Sequence, residues 1–180
     1  MASQVAVSIV ASYFLGAIPF GFIVAKFWGI SDLTRVGSTN VGATNVVRTA
    51  GWIPGVITLL LDILKGILPV ILISDHDVLR AAAAIATVLG HCYSPFLKFK
   101  GGKGVATTLG VLLGVETWIG IAATLCYLIV LALTRVSALG SLAAMLASLA
   151  GVLLFSPSLS FKIVVSFLSL FVIIRHHQNW

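Results

Sequence analysis

Long apolar runs separated by short polar clusters fill this chain, and the run lengths set the predicted elements. Seven runs stand out: about Val5 to Phe27, Gly51 to Ile73, Val78 to Leu97, a short one ending near Val115, one ending near Leu133, Val136 to Phe155, and Leu159 to Ile174. A spanning helix takes roughly 20 apolar residues, because the hydrocarbon core is about 30 Å thick and an α-helix rises about 1.5 Å per residue. The pattern predicts an all-α, polytopic integral membrane protein with about seven transmembrane helices, one of them short. Residues 1–180 form a single transmembrane domain on this reading, with no extramembrane domain. Any chemistry must then lie in the loops and in polar groups between helices.

Composition agrees. Hydrophobic residues make up 59% of the chain and charged residues 9%, against about 45–50% and about 25% in soluble domains. So few charges cannot cover a globular surface. Cys92 and Cys126 lie far apart in apolar surroundings and suggest neither a disulfide framework nor a metal site. The first run lacks a basic leader and a small-residue cleavage site followed by a soluble region, so it reads as a retained helix.

The net charge of +6 would suggest nucleic acid in a soluble protein. In a membrane protein it is read first through the excess of Lys and Arg in cytoplasmic loops. Seven crossings put the termini on opposite sides. Lys26, Arg35, Arg48, Lys98, Lys100, Lys103, Arg135 and Arg175 then share one side, Arg80 and Lys162 the other, and Lys65 lies within the membrane. This bias places the N-terminus outside and the C-terminus in the cytoplasm. Asp32 is the only acid on the basic side. That face would attract anionic lipid headgroups and concentrate a phosphorylated substrate.

Three polar stretches carry candidate chemistry. The first, GSTNVGATNVVR over residues 37–48, combines hydroxyls, amides and glycines and ends on an arginine. Glycines allow backbone N–H groups to approach an anion. Ser38, Asn40, Thr44 and Asn45 offer donors, and the planar fork of Arg48 suits phosphate. The same residues also make turns and helix caps, so composition leaves both readings open. The second, Lys98 to Gly104, places three lysines and three glycines just before a helix. Helix N-termini bind anions, although a lysine cluster also satisfies the charge rule. It is not a Walker A loop, because Gly104 stands where Ser or Thr is required. The third, Arg175 to Asn179, includes two histidines able to act as base or acid, or simply forms an interfacial polar tail.

Other features read as structural. Asp62 and Lys65, three residues apart on one helix face, are expected to pair inside the bundle. His91 and Cys92 read as a packed pair, and Gly16, Gly21, Gly110, Gly114, Gly140 and Ser141 fit close helix contacts.

Taken together, GSTNVGATNVVRT, GHCYSPFLKFKGGKGVATTLG and RHHQN resemble the three cytoplasmic motifs of the bacterial acyl-phosphate:glycerol-3-phosphate acyltransferases, the PlsY family. The resemblance runs in order and at matching spacing over essentially the whole chain. It implies transfer of a fatty acyl group from acyl phosphate to the 1-hydroxyl of sn-glycerol 3-phosphate. The products would be lysophosphatidic acid and phosphate, in the first acylation step of bacterial phospholipid synthesis. It further implies no cofactor or metal, no acyl-CoA or acyl carrier protein and no nucleic acid. Membrane lipid is the surroundings, and a functional link to the soluble enzyme that makes acyl phosphate is implied. The expected location is the bacterial plasma (inner) membrane, multi-pass, with the active site on the cytoplasmic face.

By motif position, the resemblance implies catalytic roles for Ser38, His176 and Asn179. Asn40, Thr44, Arg48, Lys103, Gly101, Gly102 and Ser141 would bind substrate. Arg48 and Lys103 would hold the phosphate of glycerol 3-phosphate. Ser38, Thr44, Asn179 and nearby amides would hold the acyl phosphate. The base is His176 or the departing phosphate, with His177 as the competing histidine. Two departures stand out. Thr39 occupies a position where many members have glycine, and the chain stops at Trp180 where members usually continue. The other major glycerol-phosphate acyltransferases carry a His and an Asp separated by four residues, and none of the four histidines here fits that pattern. The rivals are a small anion transporter or channel, to which polar loops and a mid-membrane ion pair would also belong, and a scaffold subunit.

Overall fold

Pro19 divides the first apolar run. Proline lacks an N–H, and its ring disfavours helical geometry in the residue before it. In the computed structural model, which describes residues 2–73 and 76–176, the run is therefore two helices, α1 (Ala2–Ala17) and α2 (Phe20–Phe27), rather than one continuous span. The break exposes backbone carbonyls, and polar side chains from a later helix and a later turn satisfy them. Lys65 Nζ donates to the Ile18 carbonyl at 2.8 Å, and Ser94 Oγ donates to the Ala17 carbonyl at 2.6 Å. Lys65 Nζ also lies 2.8 Å from Asp62 Oδ1, so the expected pair is present, each side chain only 2% exposed. Removing one partner of such a buried pair costs about 3–5 kcal/mol.

The polar stretch after α2 is not all loop. It contains a short helix, α3 (Ala43–Ala50), which ends at Gly51 with φ of 101°. The chain continues as α4 (Trp52–Leu72), α5 (Asp77–Cys92), α6 (Val105–Val115), α7 (Thr117–Thr134), α8 (Ser137–Phe155) and α9 (Leu159–Ile174). Helix α5 stops at Cys92, short of the expected Leu97. Pro95 opens a separate 3-10 turn, Pro95–Leu97, and the backbone reverses through Lys98 and Phe99 at positive φ. Among the described residues there is no strand.

The helices α1 and α5, α4 and α6, and α7 and α8 form the most extensive pairings, joined by α8 against α9 and α5 against α9. Small residues let backbones meet. A Cβ on Gly16 would lie 2.0 Å from the Thr87 carbonyl oxygen, and one on Gly90 would lie 2.1 Å from that of Tyr13. Gly66 and Gly110 play the same part between α4 and α6, facing the carbonyls of Thr107 and Ile63. The outward faces are apolar: Phe27, Trp52, Leu72, Trp118, Leu133 and Ile174 are exposed. The interior holds Asn45, Lys65, Thr87 and His91 instead. An apolar exterior around a partly polar interior is the pattern that lipid as solvent requires. Four helical segments, Ser3–Phe27, α4, α7 and α8, are long and apolar enough to cross a membrane, while α6 and α9 are shorter apolar helices.

Candidate active site

The first motif folds around Asn45. This side chain, 2% exposed, is the hub of the loop. Its Oδ1 accepts from the Ser38 N–H at 2.8 Å, and its Nδ2 donates to the carbonyls of Val36 at 3.0 Å and Asn40 at 2.8 Å. The sequence offered Asn45 as a phosphate donor; the fold uses it to hold backbone instead. Gly37 takes a φ of 61°, and a Cβ there would lie 2.2 Å from Asn45 Oδ1, so only glycine fits. Thr39 also has positive φ, 59°, which explains why glycine would be at home at this position. Asn40 closes a local turn, its Oδ1 accepting from the Gly42 N–H at 3.2 Å.

Thr44 and Arg48 lie one turn apart on α3, and both are exposed. The Thr44 hydroxyl lies 2.9 Å from the Ser137 hydroxyl, which in turn lies 3.0 Å from that of Tyr127. Ser141, one turn further along α8, is buried and donates to the Ser137 carbonyl at 2.9 Å. Thus Thr44 and Ser141 meet at one α3–α8 junction. The exposed guanidinium of Arg48 has no carboxylate partner among the described residues.

The second motif is bound to the end of α5. The Gly101 N–H donates to the Cys92 carbonyl at 3.0 Å and the Gly102 N–H to the His91 carbonyl at 3.1 Å. Both glycines are obligatory by contact: a Cβ on Gly101 would lie 2.0 Å from the His91 carbonyl oxygen, and one on Gly102 would lie 2.1 Å from His91 Nε2. The buried His91 is therefore the floor of this loop, with its Nδ1 3.7 Å from Asp62 Oδ1. Lys103 follows, half-buried, and that partial burial holds its ammonium below the usual lysine range, with the nearby Arg175 charge adding to the effect.

The third motif begins as α9 ends. His176 is buried and its Nδ1 lies 2.8 Å from the Val172 carbonyl. A carbonyl only accepts, so Nδ1 carries the proton and Nε2 is the acceptor nitrogen. Burial lowers its pKa from 6.5; the Val172 contact opposes this, and the charges of Lys103 and Arg175 reinforce it. The imidazole is therefore neutral near pH 7. Arg175 donates from Nη2 to the Gly102 carbonyl at 3.1 Å, with its guanidinium carbon 5.0 Å from the centre of the Tyr93 ring. Asn179 and His177 lie outside the described residues.

The two cationic loops share one end of the bundle. Val105, Ala144, Met145 and Val172 belong to one packed cluster, which joins the start of α6, the N-terminal half of α8 and the end of α9. Of the expected site residues, Lys103, Gly101, Gly102 and His176 are brought together around α5 and α9, and Thr44 and Ser141 both bond Ser137 on α8, with Arg48 exposed one turn along α3. Sequence reasoning missed Ser137, His91 and Arg175 as site-forming groups. The signal for Arg175 was its place in the RHHQN string; Ser137 carried none. Among the described residues no group of three His, Cys, Asp or Glu is placed to hold a metal.

These features define a class: an all-helical integral membrane protein with two glycine-rich cationic loops and a neutral histidine at one end. The model of the glycerol-3-phosphate acyltransferase family matches residues 6–180, and the chain belongs to that family. It is 43% identical over 173 residues to the glycerol-3-phosphate acyltransferase of Thermosipho melanesiensis, covering 96% of this chain and 85% of the relative. Identity to the Methylobacillus flagellatus enzyme of the same name is 44% over 177 residues, covering 97% and 90%. The crystal structure of PlsY, an integral membrane glycerol 3-phosphate acyltransferase, in its glycerol 3-phosphate form superposes with a TM-score of 0.93 at 34% identity, covering 98% of this chain and 90% of that one. Its lysophosphatidic acid form gives 0.91 at 33% identity.

Proposed function

We propose that this chain transfers a fatty acyl group from acyl phosphate to the 1-hydroxyl of sn-glycerol 3-phosphate, giving lysophosphatidic acid and phosphate. Family membership and the likeness to PlsY in forms with glycerol 3-phosphate and lysophosphatidic acid support the acceptor and the product. The observation that carries the reading is the glycine-rich lysine loop beside His176, whose Nε2 is the acceptor nitrogen, with the first polar loop packed at the same end of the bundle against Leu97. Two loops suit two phosphate-bearing substrates that would otherwise repel. An acyl phosphate donor is consistent with a site built for positioning: it is already activated, so the protein needs positioning and charge stabilisation rather than its own nucleophile.

In this mechanism Arg48 and Lys103 hold the phosphate of the acceptor. Ser38, Thr44, Asn179 and loop amides hold the acyl phosphate. Asn40, Gly101 and Gly102 shape the loops, and Ser141 borders them at the α3–α8 junction. The 1-hydroxyl oxygen attacks the acyl carbon. The ester C–O bond forms, the bond from the acyl carbon to the phosphate oxygen breaks, and its electron pair leaves with phosphate. The hydroxyl proton passes to His176 Nε2 or to the departing phosphate.

The chain is one domain over residues 1–180 in this reading. It crosses the bacterial inner membrane seven times, with the N-terminus outside and the active site at the cytoplasmic face. The distribution of Lys and Arg supports that orientation. Helix α6 has 11 residues and rises about 16 Å, roughly half the thickness of a hydrocarbon core. That length favours a lysine loop lying below the membrane surface, where a lipid chain and a water-soluble phosphate meet. A soluble enzyme that makes acyl phosphate is the functional partner.

The test is turnover by the purified chain with glycerol 3-phosphate and either palmitoyl phosphate or palmitoyl-CoA. Lysophosphatidate with release of inorganic phosphate, from the acyl phosphate alone, is expected. Product from palmitoyl-CoA instead would overturn the donor assignment.

A further inference from the structure

Arg175 is a cation held in an unusual way. Its guanidinium carbon lies 5.0 Å from the centre of the Tyr93 ring and 5.8 Å from that of Phe171. Its Nη2 donates to the Gly102 carbonyl at 3.1 Å, and its buried Nε has no partner among the described residues. No carboxylate among those residues pairs with it. An ordinary interfacial arginine would extend to water. This one is turned inward, onto a single peptide group.

That peptide is the link between Gly102 and Lys103. Its carbonyl is held from α9 by Arg175, while the preceding N–H, on Gly102, is held from α5 by the His91 carbonyl at 3.1 Å. A peptide bond is planar and trans. Fixing the carbonyl therefore fixes the opposite N–H, that of Lys103, and the position of the Lys103 Cα from which its side chain starts. Glycine at 102 makes the clamp necessary, since a residue without Cβ has no steric preference to hold the plane.

We propose that Arg175 is a positioning residue for acyl transfer: it clamps the Gly102 carbonyl, sets the Gly102–Lys103 peptide plane and so aims Lys103 at the phosphate of the acceptor. The proposal rests on the acyltransfer reading above. A second consequence follows from charge. His176 is faced by Lys103 from the loop and by Arg175 from its own helix, while His91 and Cys92 end the neighbouring α5. With Arg175 present the imidazole loses its proton more readily.

The experiment compares Arg175→Lys and Arg175→Gln with the wild-type full chain in detergent or lipid cubic phase, monitoring folding by thermal unfolding. In both variants KM for glycerol 3-phosphate should rise about tenfold, the scale of one charge-assisted hydrogen bond, with a smaller change in kcat. Only Arg175→Gln should move the acid limb of the pH profile upward, towards 6.5, because Arg175→Lys keeps the repelling charge. Wild-type KM and an unmoved acid limb in folded Arg175→Gln would overturn the proposal. So would failure of the milder Arg175→Lys to fold, which would make the residue a staple of the bundle. If the wild type does not turn over acyl phosphate, the donor assignment fails separately. The clamp is then read from thermal stabilisation by glycerol 3-phosphate: a loss in Arg175→Lys supports it, and wild-type stabilisation in that variant removes it.

Discussion

The two ends of the helix bundle treat their arginines differently. At the end opposite the loops, Arg80 donates from Nε to the Val70 carbonyl at 3.0 Å and from Nη2 to the Gly114 carbonyl at 3.2 Å, and lies over the Phe161 ring. An acid completes the group: Asp77 Oδ1 is 3.8 Å from Arg80 Nη1, and Asp77 Oδ2 accepts from Ser158 at 3.1 Å. Glu116 at the same end accepts from Ser156. At the loop end, Arg175 is gripped by a carbonyl and aromatic rings in nearly the same manner, yet neither it nor Arg48 meets a carboxylate among the described residues. The acid at that end, Asp32, pairs with Arg35 at 3.0 Å on the surface, and its hydrogen bonds to Thr34 hold its carboxyl below the usual range. The same clasp thus serves two purposes. Where an acid completes it, it ties helices together. Where no acid is supplied, the positive charge is left uncompensated and the loop end stays cationic.

Substitutions at matched positions break this comparison apart. The largest effect is expected from Arg48→Ala, which on the proposed mechanism would remove a bidentate phosphate contact of about 3–4 kcal/mol. Activity should fall on the order of 10²–10³-fold, with the unfolding temperature unchanged; a comparable loss of stability would show that Arg48 belongs to the scaffold. Gly102→Ala comes next. Its Cβ would sit 2.1 Å from His91 Nε2, so loop and imidazole must separate at a cost of about 1–3 kcal/mol. A rise in KM for glycerol 3-phosphate of roughly 10–100-fold should follow, and an unchanged KM would mean the loop is not the phosphate site.

Arg80→Ala tests the other end. It should lower stability by about 1–3 kcal/mol, because two carbonyls and Asp77 lose their donor, while the folded fraction keeps its specific activity. A variant that folds normally but turns over slowly would erase the distinction between the ends. The smallest change is Thr39→Gly. It relieves a β-branched residue at a φ of 59°, and should raise stability by up to about 1 kcal/mol with activity retained. A lower unfolding temperature would show that the Thr39 side chain makes a contact of greater worth.

Much of this arrangement was legible in the amino-acid order. The apolar runs correspond to helices because lipid demands them, and residues 159–174 match α9 at both ends. The loop residues were legible as anion-binding candidates once the three motifs were taken together, since each alone also fits a turn, a cap or a cytoplasmic lysine cluster. The rest was hidden for physical reasons. Run length passes over Ile18-Pro19, since both residues are apolar; Pro19 carries the helix-breaking signal, but the capping of the break by Lys65 is a long-range contact that no local pattern encodes. Helix α3 is only eight residues long and lies within a polar stretch whose Ser, Thr, Asn and Gly also read as a turn. Asn45 has the chemistry of a ligand, but its partners are backbone atoms up to nine residues away. The α3–α8 contact of Thr44 with Ser137 spans 93 residues, and no local pattern encodes it.

The claim at the centre of this account is that the loop end binds phosphate with charges that the opposite end neutralises. Calorimetric binding of glycerol 3-phosphate to the full chain, to Arg48→Ala and to Arg80→Ala tests it most directly. Binding is expected to be lost in Arg48→Ala and to match the wild type in folded Arg80→Ala. Wild-type affinity in Arg48→Ala, or loss of binding in a folded Arg80→Ala, would contradict it.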